Sequence, residues 1–148
     1  MKRLYPDQPV VGIGVVIVNK GKLLLAKRGN EPGKGKWANP GGLVELGESI
    51  LTTVIREAKE ETSLEVADPK LVDVVDTTTI DEDGKVKYHY VIVDYFVKVV
   101  NGAVKAESDV VELHWVPFEE VENYVLTASF REFFVKNRSK LEQLDSYL

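Results

Sequence analysis

At 148 residues the chain has the size of a single domain, and it can bury a hydrophobic core without disulfide or metal staples. A hydrophobic fraction of 44% with 29% charged residues excludes an intrinsically disordered chain. The net charge of -5, from 19 basic and 24 acidic residues, disfavours a broad nucleic-acid surface. The absence of cysteine excludes thiolate metal sites and thiol nucleophiles. The start, Met1 to Pro6, lacks the apolar run of a signal peptide, and no stretch reaches membrane-spanning length. The expectation is a cytoplasmic protein without membrane or nucleic-acid partners.

In chain order, Val10 to Asn19 (VVGIGVVIVN) is apolar and β-branched, and a turn at Asn19-Lys20-Gly21 leads into Lys22 to Arg28 (KLLLAKR). These two runs predict a hairpin of partly buried strands. Gly29 to Asn39 holds three glycines and a proline, which makes it a loop ending at Pro40-Gly41-Gly42. From Ser49 to Thr62 the apolar residues Ile50, Leu51, Val54, Ile55 and Ala58 recur at helical spacing, with no Gly or Pro among them. Strand chemistry returns in Leu71 to Ile80 and Lys87 to Val100, joined by a turn at Asp81-Glu82-Asp83-Gly84. Asn101-Gly102 is expected as another hairpin turn, before a short strand over Leu113 to Val116 that Pro117 ends. Phe118 to Asn123 predicts a short helix, and Thr127 caps a final one running toward Tyr147. No internal repeat or linker interrupts the chain. The pattern is a mixed sheet with helices on its faces, one α/β domain spanning residues 1–148.

The chemistry gathers between Gly41 and Leu64. On a helix Glu57, Glu60 and Glu61 fall within an arc of roughly 100°, so three carboxylates share one face. Their mutual repulsion is what a divalent cation offsets, and hard oxygen ligands suit Mg²⁺ or Mn²⁺ better than zinc. Pro40-Gly41-Gly42 lets the main chain approach a metal or phosphate closely. Arg56 lies off the carboxylate face, positioned to pair with Glu60 at i,i+4 or to orient Glu57 through a bidentate contact. Alone, REAKEE would be an ordinary solvated helix face. The spacing of Gly42, Glu48, Arg56, Glu57, Glu60 and Glu61 removes that reading. Six fixed matches arise by chance in fewer than about one chain in 10⁵.

That spacing resembles the Nudix box, G-x5-E-x7-R-E-U-x-E-E-x-G-U with U apolar, and Ala58 and Leu64 fill apolar positions. Ser63 stands where the box has glycine. Glycine there terminates the helix in the left-handed region, which Ser tolerates at a cost of about 1 kcal/mol. The resemblance extends from about Val11 to Phe134, through KWANPGG, GKVKYHYVIVDYF, ESDVVELHWVP and LTASFREFF, and points to the short ADP-ribose pyrophosphatase-like and MutT-like Nudix hydrolases. It implies an α/β/α sandwich and hydrolysis of a nucleoside diphosphate linked to another moiety, with water as nucleophile. By the same resemblance Glu57 and Glu61 are principal metal ligands, and Glu60 is a further ligand or the water-activating base. Gly41 offers a carbonyl to one metal, Arg56 orients Glu57, and Glu48 is an outer or additional ligand. A further acid is expected from the loop before the last strand. Glu107 and Asp109 are the candidates, with Asp109 preferred. A homodimer is also implied.

Substrate contacts are less determined. Arg28, at a strand end, reaches a phosphate or is simply exposed. Trp37 stacks on a base or packs under its loop. Asn39, Gly42, Tyr88 and Thr127 complete the candidates. Tyr88 and Tyr90 share one strand face and His89 takes the other, while His89 and His114 read as structural. Three functions compete: a pyrophosphatase for ADP-ribose or a related dinucleotide, a mutator-type hydrolase of (oxidised) nucleoside triphosphates, and a catalytically silent nucleotide-binding module. The intact carboxylates argue against the last.

Overall fold

The computed structural model describes residues 2–147. Strands β1 (Val10–Asn19) and β2 (Lys22–Arg28) form the expected hairpin, with Lys20 and Gly21 both at positive φ as a tight two-residue turn requires. Their pairing lasts only two residue pairs, Val18 with Leu23 and Asn19 with Lys22. Beyond that the strands part. The first half of β1 pairs instead with the short β4 (Gly41–Leu43), and the distal end of β2 with β3 (Trp37–Ala38). This divergence opens one end of the sheet, and the candidate site lies there.

On its other side β1 runs parallel to β6 (Val86–Asn101), which pairs antiparallel with β5 (Glu65–Ile80); β7 (Val110–Pro117) pairs with β2. The result is a seven-stranded mixed sheet. Alternation along β1 divides the core in two. Ile13, Val15 and Ile17 face helix α1 (Ile50–Thr62) with its Val54 and Ala58, while Val16 and Val18 face helix α2 (Ala128–Asp145) with Phe130, Phe133 and Phe134. The chain is therefore an α/β/α sandwich, as expected.

Three expectations change. β5 begins at Glu65 rather than Leu71, and register shifts around Asp68 and Pro69 let it continue past the proline. Asn101-Gly102 is not a hairpin turn, because β7 pairs with β2 across the molecule instead of returning along β6. The short helix expected over Phe118–Asn123 forms over those residues, as a 3₁₀ helix. The third change concerns α1, whose apolar positions divide. Val54 and Ala58 are buried, but Leu51 is 51% exposed and Ile50 and Ile55 are also exposed. The buried face of this helix carries Glu57 and Glu61 alongside its aliphatic residues, so its remaining apolar side chains lie outside.

Candidate active site

Helix α1 is fixed at both ends by its own sequence. The Ser49 hydroxyl accepts from the Thr52 amide at 3.1 Å as an N-cap, and Ser63 closes the helix at φ 67°, in the left-handed region where the motif has glycine. The helix packs on the sheet where β1 and β2 diverge, beside a cleft of about 470 Å³, a volume suited to a small-molecule ligand. Gly42 is required there. A Cβ on it would run into the Glu57 carboxyl group. Glycine at this position lets a carboxylate lie directly over the backbone of β4.

Arg56 is the hub of the acidic cluster. Its Nε and one terminal nitrogen grip Glu48 at 2.7 and 2.8 Å, its other terminal nitrogen donates to Glu57 at 2.7 Å and to Glu60 at 3.1 Å, and it also reaches the Leu43 carbonyl. The bidentate contact is thus with Glu48 and not with Glu57. Arg56 does not lie off the carboxylate face, because its long side chain swings back across it. Hydrogen bonds from Arg56 and the Thr53 hydroxyl hold Glu48 down to a pKa of about 2. With both oxygens engaged by Arg56 and Thr53, and outside the cleft lining, Glu48 anchors the arginine.

Glu57 and Glu61 are each only 8% exposed, whereas the Glu60 side chain is half exposed and drawn toward Arg56. The expected shared face therefore resolves into two buried carboxylates and one at the rim. Burial raises the pKa of Glu57, against the opposing pull of Arg56, with Glu60 and Glu48 adding to the rise. Burial also raises Glu61, up to about 7; the Gly41 amide and Arg28 oppose this, while Glu57 and Asp109 add to it. Glu61 accepts the Gly41 N–H through Oε1 at 2.7 Å, and Arg56 occupies Oε1 of Glu57. One oxygen of each buried carboxylate is thereby free of these contacts. Glu57 and Glu61, two carboxylates held apart from bulk water, offer hard oxygen donors that fit a divalent cation such as Mg²⁺, which keeps several waters and needs only one or two protein carboxylates. Among the described residues no three His, Cys, Asp or Glu side chains are grouped so as to hold a metal ion by themselves, so water, backbone or substrate oxygens would have to complete its shell.

The remaining candidates divide clearly. Arg28, Asn39, Gly41, Gly42, Tyr88, Asp109 and Thr127 line the cleft with Arg56, Glu57, Glu60 and Glu61. Glu107 does not. Its half-exposed side chain pairs with Lys105, because the chain turns at Ser108, which has positive φ, and presents Asp109 to the cleft instead. Trp37 is also excluded from base stacking. It is 9% exposed and packed against His114 and Tyr124, with ring centroids 4.5 and 5.0 Å away. Its backbone joins the chain at Val125 and Thr127, so the ring fills the core under the loop. Thr127 caps α2 by accepting from the Phe130 amide. Arg28 donates from Nε to the Pro32 carbonyl at 2.7 Å, which fixes its side chain along the cleft wall.

Sequence reasoning missed Asp94. It is 4% exposed in the middle of β6, opposite Gly14 on β1, and it lines the cleft. Burial, with Asp73 nearby, pushes its carboxyl up to about 7. The signal was present in VIVDYF, a single acid within an otherwise apolar run, since such a residue is rarely buried without purpose.

The NUDIX domain family pattern matches residues 8–136. An ADP-ribose pyrophosphatase from Methanocaldococcus jannaschii is 38% identical over 110 residues, covering 74% of this chain and 62% of that protein. The chain thus spans less than two thirds of that relative's length. The crystal structure of a MutT NUDIX hydrolase from Burkholderia pseudomallei superposes with a TM-score of 0.73 at 32% identity, over 84% of this chain and 95% of that one. The NUDIX domain of Shewanella oneidensis NrtR, crystallised with ADP ribose, shares the fold with a TM-score of 0.75 at 23% identity, over 92% of this chain and 90% of that one. With its box, its sandwich and its paired carboxylates, the chain belongs to the Nudix hydrolase family.

Proposed function

We propose that the chain hydrolyses the diphosphate linkage of a nucleoside diphosphate derivative, with ADP-ribose or a related dinucleotide as substrate and Mg²⁺ or Mn²⁺ as cofactor. The observation that carries this reading is the pair of buried carboxylates, Glu57 and Glu61, each with an oxygen not engaged by Arg56 or Gly41, at the wall of a nucleotide-sized cleft. The ADP-ribose pyrophosphatase relative supports the choice of substrate.

Glu57, Glu61 and the Gly41 carbonyl are the groups that would hold the metal. When bound, the ion supplies positive charge to the phosphoryl oxygens and makes water a stronger acid. The protein's own part is positioning and proton transfer. Arg56 fixes Glu57 in one rotamer and is itself fixed by Glu48. Arg28 and Lys36, both lining the cleft, give the diphosphate cationic partners. Water attacks one phosphorus, the bridging P–O bond breaks, and AMP and a sugar phosphate leave. Among the other cleft carboxylates, Glu60 and Asp109 are the ones we assign to take the proton from water.

A second reading, pyrophosphohydrolysis of nucleoside triphosphates, draws on the likeness to the MutT structure. Ranking ADP-ribose, NADH, diadenosine polyphosphates and (oxidised) dNTPs by kcat/KM decides between them. The decisive test of the shared chemistry is Glu57→Gln. We expect it to remove nearly all hydrolysis while leaving the fold intact, with EDTA abolishing activity and Mg²⁺ or Mn²⁺ restoring it. Near wild-type turnover in the variant, or turnover without metal, would refute the assignment. We also read the chain as a cytoplasmic homodimer. The exposed Leu46, before α1, and Ile50, Leu51 and Ile55, in its first two turns, support association. No helix among the described residues is long and apolar enough to cross a membrane.

A further inference from the structure

Three buried polar atoms lack a hydrogen-bond partner among the described residues: Asn39 Oδ1, Tyr90 OH and Asp94 Oδ2. All three residues line the one cleft that holds the acidic cluster. Native proteins rarely leave such groups unmet, since each loses its hydration without compensation. Three in a single cleft wall point to a ligand that satisfies them.

The sheet is built around this feature. Asp94 lies opposite Gly14 of β1, and a Cβ on Gly14 would run into its carboxyl group. The same point over Gly14 lies 3.8 Å from Nδ2 of Asn39, so the two side chains converge above a bare stretch of strand, with Oδ1 of Asn39 left unpartnered on the same amide. Phe130 and Phe133 from α2, with Ala26 and Ala38, add apolar surface to the same cleft. Gly14 in turn pairs with Gly41, whose amide holds Glu61. Two strand spacings, about 10 Å, therefore separate Asp94 from the backbone at the acidic end of the cleft. A cleft with apolar surface, unmet hydrogen-bonding groups on one wall and the acidic cluster about 10 Å away matches the layout of a nucleotide, base to phosphate.

We propose that Asp94 and Asn39 form a base-recognition subsite that receives the exocyclic amino group of the substrate's nucleobase. An amino group presents two N–H donors from one nitrogen, and Asp94 Oδ2 and the Asn39 carbonyl oxygen supply two acceptors. A hydroxyl supplies one donor only and brings lone pairs that need donors in return. The phenol of Tyr90 borders the same wall and can meet a ring nitrogen. Asp94 is thus a specificity residue, not a metal ligand. It selects amino-bearing bases over their oxo counterparts. This inference rests on the nucleotide reading above and narrows it to a class of base.

The test is binding of nucleoside monophosphates, measured by calorimetry near pH 8.5, where the Asp94 carboxyl is ionised, with Mg²⁺ present, on two matched pairs: AMP against IMP, and CMP against UMP. In at least one pair the amino member is expected to bind about tenfold or more tightly, the worth of one well-made hydrogen bond to a charged group. In Asp94→Ala that difference disappears through weaker binding of the amino member, with the oxo member unchanged. Asp94→Asn, close in shape, keeps one acceptor and retains an intermediate preference, so the inference does not depend on Ala being tolerated. Equal binding within both pairs, absence of binding, or equal loss for both members in Asp94→Asn would overturn it. Discrimination by a chain that hydrolyses nothing would refute the reaction reading alone. Hydrolysis without discrimination would refute this subsite alone.

Discussion

Glu61→Gln should make the metal-free protein more stable at neutral to basic pH while destroying its use as a metal site. Glu61 is buried and its pKa stands at about 7 against an ordinary 4.5. In the unfolded chain this carboxyl ionises as pH passes about 4.5, but in the folded protein it keeps its proton until about pH 7. Across that window the folded state binds more protons, so stability is full below 4.5, falls as pH rises, and levels off above about 7. The gap corresponds to about 3 kcal/mol at most. Asp94, displaced from 3.8 to about 7, pulls in the same direction. Glu48, Asp73 and Asp81, all lowered, add stability with rising pH only below this window. Urea denaturation followed by tryptophan fluorescence, in EDTA, should therefore show a midpoint that falls between about pH 5 and about pH 8. Excess Mg²⁺ should raise the midpoint more at the higher pH, because the ion binds the ionised carboxylates. The glutamine side chain of the variant can still accept the Gly41 N–H, and it has no proton to lose. Near pH 8 without metal the variant's midpoint should exceed the wild type's by on the order of 1 M urea, and near pH 5 the two should converge. A wild-type midpoint that climbs across the window, or a variant with no pH-dependent advantage, would refute the reasoning.

Two further outcomes follow from the same geometry. If Glu48 acts only by holding Arg56, Glu48→Gln and Arg56→Ala should each lower kcat about 10- to 100-fold and the double variant should be no worse than Arg56→Ala alone; multiplying losses would mean Glu48 has an independent role. Ser63→Gly should raise stability by about 1 kcal/mol with kcat unchanged, because glycine relieves the strain at φ 67°, and an unchanged melting temperature would show that the helix end is not strained.

The acidic helix was legible because its information is local. Ser49, the carboxylate spacing from Glu57 to Glu61 and the terminator at Ser63 all lie within one short segment. The first hairpin was legible for the same reason: β-branched runs on either side of a tight turn. Errors arose where distant segments choose their partners. Asn101-Gly102 has hairpin composition, but the best partner for β7 is the open edge of β2, about eighty residues earlier in the chain. For Trp37 the sequence left stacking on a base and packing under the loop both open, and contacts from distant His114 and Tyr124 favour the second. Glu107 and Asp109 could not be separated by composition, because the difference is a backbone turn at Ser108.

By itself the sequence determined the family and picked out the acidic residues, since a fixed spacing on a helix fixes their relative directions. Tertiary structure decided how each of them is placed. It buried Glu57 and Glu61, turned Glu60 to the rim, and bound Glu48 to Arg56. It also brought Asp94, Asn39 and Gly14 together from three separate strands and loops. Burial and convergence depend on segments far apart in the chain, and those contacts exist only once the sheet has formed.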